Sequence, residues 1–167
     1  VRIRDILYFS PKYKFIDLKW DDKDNLLKAF QDRVEGFYIE PTRKLNEEKK
    51  AFAAGVLCVA TIDSLARIET GLDKVGDRFE YWVKNNIEQF NRPNPDKPSQ
   101  TLAYRFYDEF RNGLVHEGRI KNAGQFSHDR NELVNTVEVN GAESVMIVNP
   151  DCLLNAVATS FRDTLIK

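Results

Sequence analysis

Within the stretch Phe106-Tyr107-Asp108-Glu109-Phe110-Arg111-Asn112-Gly113-Leu114-Val115-His116-Glu117, an arginine, an amide and one of the chain's two histidines fall inside six residues. Arginine is a permanent cation with a planar donor fork, asparagine both donates and accepts, and imidazole is the side chain that ordinarily titrates near neutrality. Those are the groups that cleavage of a phosphodiester requires. Arg111, Asn112 and His116 are therefore the candidate catalytic residues.

On an α-helix advancing about 100° per residue, Leu102, Ala103, Phe106, Tyr107, Phe110 and Leu114 make one apolar side. Tyr104, Arg105, Asp108, Glu109, Arg111, Asn112 and His116 make the other. Asn112 adjoins His116 and Arg105 adjoins Glu109, each pair being four residues apart. Arg111, five residues from His116, stands about 140° round from it. Either Arg111 pairs with Asp108 and His116 finishes a solvated helix near Gly118, or the two converge. Convergence needs the reach of a long side chain, a distortion at Gly113, or a second copy of the site from a partner subunit.

Helical periodicity dominates the elements that must position this motif. A short segment around Ile6 to Phe9 reads as a strand or an extended arm. Asp21 or Asp22 caps a helix reaching about Tyr38, with Leu26, Leu27, Phe30, Val34 and Phe37 on one face. Pro41 ends it, and Thr42 caps a long helix that is charged at first and apolar nearly all round from Ala51 to Ile62. Gly71 ends that helix. A third runs from about Asp77 to Phe90 with Phe79, Trp82, Val83, Ile87 and Phe90 at core spacing. Pro93, Pro95 and Pro98 make 91–98 a loop inside the domain, and Ser99 caps the motif helix. Asn135 to Val139 and Ser144 to Val148 flank Asn140-Gly141, a hairpin signal with a loop of two or four residues. Asn149 and Pro150 open a last helix reaching about Ile166. The fold class is mainly α: about five helices in one domain, 1–167, with a small β-hairpin before the last.

Composition narrows the function classes. The chain has 167 residues, 42% hydrophobic, enough for a core without disulfides or metals. Cys58 and Cys152 are far apart, so neither a disulfide framework nor a CxxC site is indicated, and a reducing cytoplasm is expected. The run Ala51 to Ile62 is too short to span a bilayer, and Val1-Arg2-Ile3-Arg4-Asp5 lacks the apolar core of a secretion signal. The 25 basic and 26 acidic residues give a net charge of −1, which excludes a general polyanion coat and confines any nucleic-acid contact to a local patch. Two histidines without HExxH spacing give no zinc site. There is no GxxxxGK[ST] or GxGxxG loop, so no metal and no cofactor is expected.

Three further residues qualify as supports. Asp63 lies in the apolar helix and needs a partner, Arg67 or a group from the motif helix, in a structural network or behind the site. Tyr104 either packs in the core or stacks on a base or bonds to phosphate, and Asp108 stands three residues before Arg111, where the two can pair. His128, in Phe126-Ser127-His128-Asp129-Arg130, reads as loop chemistry, because neighbours in sequence cannot form a Ser/His/Asp triad.

With Arg111, Asn112 and His116 the motif resembles that of the HEPN superfamily (higher eukaryotes and prokaryotes nucleotide-binding domain). Its hallmark is an arginine, a polar residue directly after it, and a histidine four to six residues beyond the arginine, late in a helical bundle. The resemblance implies a metal-independent endoribonuclease, usually a homodimer with its motif helices facing each other, in which a ribose 2′-hydroxyl attacks the adjacent phosphorus. It implies His116 as general base or acid, Arg111 on the phosphate, and Asn112 orienting phosphate, 2′-hydroxyl or His116. RNA is the implied substrate, and a toxin or defence role, with an antitoxin or regulatory protein as partner, is the implied setting. The alternative is a module of the same fold that binds RNA or nucleotide, or dimerises, without turnover.

Overall fold

A computed structural model describes residues 1–139, 141 and 144–165. The chain begins with a two-residue hairpin, β1 (Arg2–Ile3) against β2 (Ile6–Leu7). Helix α1 (Lys23–Val34) is capped by Asp22, whose side chain accepts from the Asn25 N–H at 3.0 Å. At Val34 the helix does not stop. It widens by one turn over Glu35–Ile39 and continues as α2 (Glu40–Glu47).

Pro41 therefore lies in the first turn of α2 within a continuing helix where the sequence predicts a stop, and Thr42 is not a cap. The wide turn accommodates the missing proline N–H, and the buried Thr42 hydroxyl donates to the Tyr38 carbonyl at 2.6 Å. The break comes later, at Glu48–Lys50, where Lys49 has φ 57°. The expected single helix from Thr42 is thus two helices. The second, α3 (Ala51–Thr70), ends at Gly71 in the left-handed conformation, as read from the sequence.

At 20 residues α3 is long and apolar enough to cross a membrane. Here it is the central post of the core. It packs against α2, α4 (Val75–Asn86) and α6 (Pro150–Leu165), burying Ala54, Cys58, Ile62, Leu65 and Ala66. Helix α4 starts two residues before the predicted Asp77 and yields at Ile87 to one tight turn, Glu88–Asn91, with Phe79, Trp82, Val83, Ile87 and Phe90 all buried.

The proline-rich segment is a hairpin, β3 (Pro93–Asn94) with β4 (Lys97–Thr101). Ser99 lies in β4 and caps nothing. Thr101 caps the next helix, accepting from the Tyr104 N–H at 3.3 Å, because the ladder holds the chain extended until that point. After the motif helix come β5 (Gln125–Phe126), β6 (Val134–Val137) and β7 (Val145–Val148). β7 lies between them, antiparallel to β6 as the hairpin pattern predicts, with Val134 opposite Val148 and Val137 opposite Val145, and parallel to β5. Of the predicted Asn140-Gly141 turn, Gly141 has φ 71° and Asn140 lies outside the described residues, as does Ile166 at the predicted helix end. Asn149 caps α6, its Oδ1 accepting from the Asp151 and Cys152 N–H groups at 2.8 and 3.2 Å.

Candidate functional site

The motif helix has two gauges. Leu102–Phe106 (α5) is α-helical, and Tyr107–Glu117 continues it with i to i+5 bonding. Phe106 and Phe110 anchor it, with ring centroids 5.1 Å apart, against Phe79, Phe90 and Phe126. Gly113 is where the following loop touches down. A Cβ there would collide with the Arg119 carbonyl oxygen, so only glycine lets that strand of chain approach. The loop donates back into the wide turns: Arg119 N–H to the Gly113 carbonyl at 3.3 Å and Lys121 N–H to the Glu109 carbonyl at 3.0 Å. Gly118, at φ 66°, makes the reversal.

Wide turns change which residues share a face. With about 4.4 residues per turn, each residue advances about 82°. Five residues then close to within about 50°, where an α-helix leaves them about 140° apart. On such a wheel the positions of Arg111 and Asn112 bracket that of His116 from the turn before. The distortion that the sequence offers at Gly113 as one of three routes to convergence is present, and it spans Tyr107–Glu117.

Arg111 is mostly buried and does not pair with Asp108. Its Nη2 donates to Asp63 Oδ2 at 3.1 Å, and its Nη1 lies 3.5 Å from Asn112 Oδ1. Asp63 thus finds its partner on the motif helix, one of the two expected options, while Arg67 is exposed. A second guanidinium, Arg78 of α4, stands with Nη2 at 3.9 Å from Asp63 Oδ1 and donates through Nη1 to the Asp73 carbonyl at 3.1 Å. Two cations therefore flank one carboxylate. The Nε atoms of Arg78 and Arg111 are buried donors without an acceptor among the described residues. The sequence reading missed Arg78. Its signal was Gly76, a poor helix former in a first turn: a Cβ there would stand 3.0 Å from the Tyr107 ring, so α4 lies directly on the motif helix.

His116 is exposed, and among the described residues its side chain has no hydrogen bond or ion pair; Val115 beside it is also exposed. Asn112 is half-buried. Asp108 pairs with Lys121 at 3.1 Å, and Glu117 with Arg119 at 2.8 Å. Tyr104 is 40% exposed and is not a core residue.

The larger correction concerns Arg105 and Glu109, which the helical wheel places on the solvated face. They adjoin as predicted, Arg105 Nε to Glu109 Oε1 at 2.7 Å, but both are buried. The β3–β4 hairpin and Ser144 roof them over. Arg105 donates to Asp96 Oδ2 at 2.8 Å, to the Ser144 hydroxyl at 2.7 Å and to the Ser144 carbonyl. Asn122 donates to Glu109 Oε1 at 3.0 Å. Burial pushes the Glu109 carboxyl above its ordinary range, outweighing the hydrogen bonds from Asn122 and Arg105. Burial acts on Asp96 in the same sense, but hydrogen bonds from Ser144 and the Arg105 charge prevail and hold it below the ordinary range.

Elsewhere, His128 Nε2 lies 3.2 Å from Asn46 Oδ1, tying its loop to α2. Among the described residues no group of three His, Cys, Asp or Glu is arranged to hold a metal ion. Compared with family models, curated proteins and solved structures, the chain matches none.

Proposed function

We propose that the protein is an HEPN-type, metal-independent endoribonuclease acting in the cytoplasm. The observation that supports the reading is the widened helix, whose turns of about 4.4 residues bring the positions of Arg111, Asn112 and His116 to one side of the helix, with Arg111 held by Asp63 and His116 open to solvent. A fixed cation and an accessible imidazole on one face suit a phosphodiester.

In the reaction, the 2′-hydroxyl oxygen attacks the adjacent phosphorus and the bond to the 5′-oxygen breaks, leaving a 2′,3′-cyclic phosphate and a 5′-hydroxyl. His116 takes the proton from the 2′-hydroxyl or gives one to the departing 5′-oxygen. A second copy, laid against exposed Val115 and His116, supplies the complementary histidine. Arg111 holds the phosphate as charge develops on its oxygens, and Asn112 orients it. Arg78 leaves the cluster around Asp63 net positive although Asp63 neutralises one guanidinium. The biological setting is a toxin or defence effector, held in check by an antitoxin or regulatory protein.

The test is incubation of mixed RNA with the protein, His116→Ala and Arg111→Ala in excess chelator, followed by analysis of the ends. Cyclic phosphates made by the wild type and lost by at least about 100-fold in both folded variants are expected. Cleavage that persists in both variants removes the site assignment. A second reading, an RNA-binding or dimerisation module without turnover, is favoured by the net charge of −1. It predicts intact RNA, a mobility shift, and weaker binding by Arg111→Ala.

A further inference from the structure

The two oxygens of Asp63 face two different guanidiniums. Oδ2 accepts from Arg111 Nη2 at 3.1 Å, while Oδ1 stands 3.9 Å from Arg78 Nη2, so that a shift of about 1 Å would bring it to hydrogen-bond length. The cations are the anchored members. Arg78 is held on α4 by the bond from its Nη1 to the Asp73 carbonyl at 3.1 Å, and α4 itself lies on the motif helix where Gly76 meets the Tyr107 ring. Asp63 hangs between them on a short side chain from α3.

Charge balance gives this arrangement a use. An arginine paired one-to-one with a carboxylate is neutralised, and a phosphate brought to it adds a second anion to a partly covered site. Asp63 is also the most open of the three, its side chain 27% exposed against 12% for each arginine, so an anion arriving at Arg111 comes close to that carboxylate. With Arg78 present the cluster holds two guanidiniums and one carboxylate, and the single charge of a phosphodiester brings it to neutrality. We propose that Arg78 is a positioning residue for the phosphate at Arg111: as the phosphate takes the Arg111 fork, Asp63 passes to Arg78. Only hydrogen bonds are exchanged, and no proton moves. The proposal rests on the ribonuclease reading in taking Arg111 as the residue that holds the phosphate. An Arg78 that merely tied α4 to α3 would support the site whether or not Asp63 carried a charge.

The probe is a fluorescently labelled, mixed-sequence 2′-O-methyl RNA, which keeps every phosphate but has no free 2′-hydroxyl to attack. Its affinity for the whole chain is read by fluorescence anisotropy at one ionic strength, with folding followed by circular dichroism. Arg78→Gln is expected to weaken binding about tenfold or more, because Asp63 then has no second cation to go to. Adding Asp63→Asn to Arg78→Gln removes the stranded carboxylate and should restore affinity to within about threefold of wild type. Asp63→Asn alone should bind at least as tightly as wild type. Wild-type affinity in folded Arg78→Gln, no rescue in the double variant, weaker binding by Asp63→Asn, or a wild type that does not bind the probe overturns the proposal. The Asp63→Asn arm decides even if Arg78→Gln does not fold. The expected pattern in a protein that cleaves no RNA would sink only the nuclease reading. RNA cleavage by a protein without that pattern would sink only the role of Arg78.

Discussion

Arg105 and Glu109 illustrate how a pair that would add little at the surface becomes consequential once covered. Replacing Arg105 by Met leaves Glu109 buried without its cation, and a loss of about 3–5 kcal/mol is expected in urea denaturation. The double variant Arg105→Met, Glu109→Leu should recover much of it, because the uncompensated charge is gone. Asp96 and Glu109 have opposite pH signatures. The lowered Asp96 carboxyl stabilises the fold above the ordinary carboxylate range, and that contribution disappears as pH falls through its depressed folded value. The raised Glu109 carboxyl weakens the fold above its own range and is relieved as pH falls through its raised value. Asp96→Asn should therefore cost about 1–3 kcal/mol at neutral pH through lost hydrogen bonds. It should also flatten the fall in urea midpoint below about pH 4, measured as midpoint against pH.

At the scale of the element, the wide turns from Tyr107 to Glu117 depend on the loop seated at Gly113. A methyl group there meets backbone, the Arg119 carbonyl, so the loop or the helix must move. Gly113→Ala is expected to cost about 1–3 kcal/mol, read as a lowered melting temperature. If the loop is displaced and the helix relaxes toward α geometry, Arg111 and His116 swing apart, and RNA cleavage should fall at least about tenfold in protein that remains folded. Full cleavage by a folded Gly113→Ala variant would show that the wide turns are not what brings the pair together. The Gly113 requirement was legible as a possible distortion, but its extent was not. A helical wheel assumes one gauge, and the loop that sustains another lies in residues 119–121, whose sequence has no helical period.

For the molecule as a whole, α3 is the post on which the rest is hung, and its cysteine reports on that. Cys58 is 1% exposed, and burial, with the negative charge of Asp151 adding to it, pushes its thiol up to about 12. Cys152 is half-buried, and its thiol is raised for the same reasons. In native buffer a thiol reagent at mild alkaline pH should modify Cys152 first, with Cys58 reacting only as fast as the whole domain opens; in denaturant the two should react alike. Cys58 reacting at Cys152's rate in native protein would mean that α3 is not the least accessible element.

The periodicities of α1, α3, α4 and α6, the glycine stop at Gly71, the Asn149-Pro150 start and the β6–β7 hairpin were all readable along the chain, because each depends on neighbours a few residues apart. So was the need of Asp63 for a partner, since a carboxylate in an apolar stretch announces its cost. What the tertiary structure decided was which partner answered: Arg111 across 48 positions, with Arg78 beside it. It also decided that Pro41 sits inside a continuous helix, that Arg105 and Glu109 lie under a hairpin, and that the motif helix is widened. Local sequence sets the cost of each exposed or buried group, but only the packing of distant segments determines which groups are covered and which helix gauge satisfies their backbone.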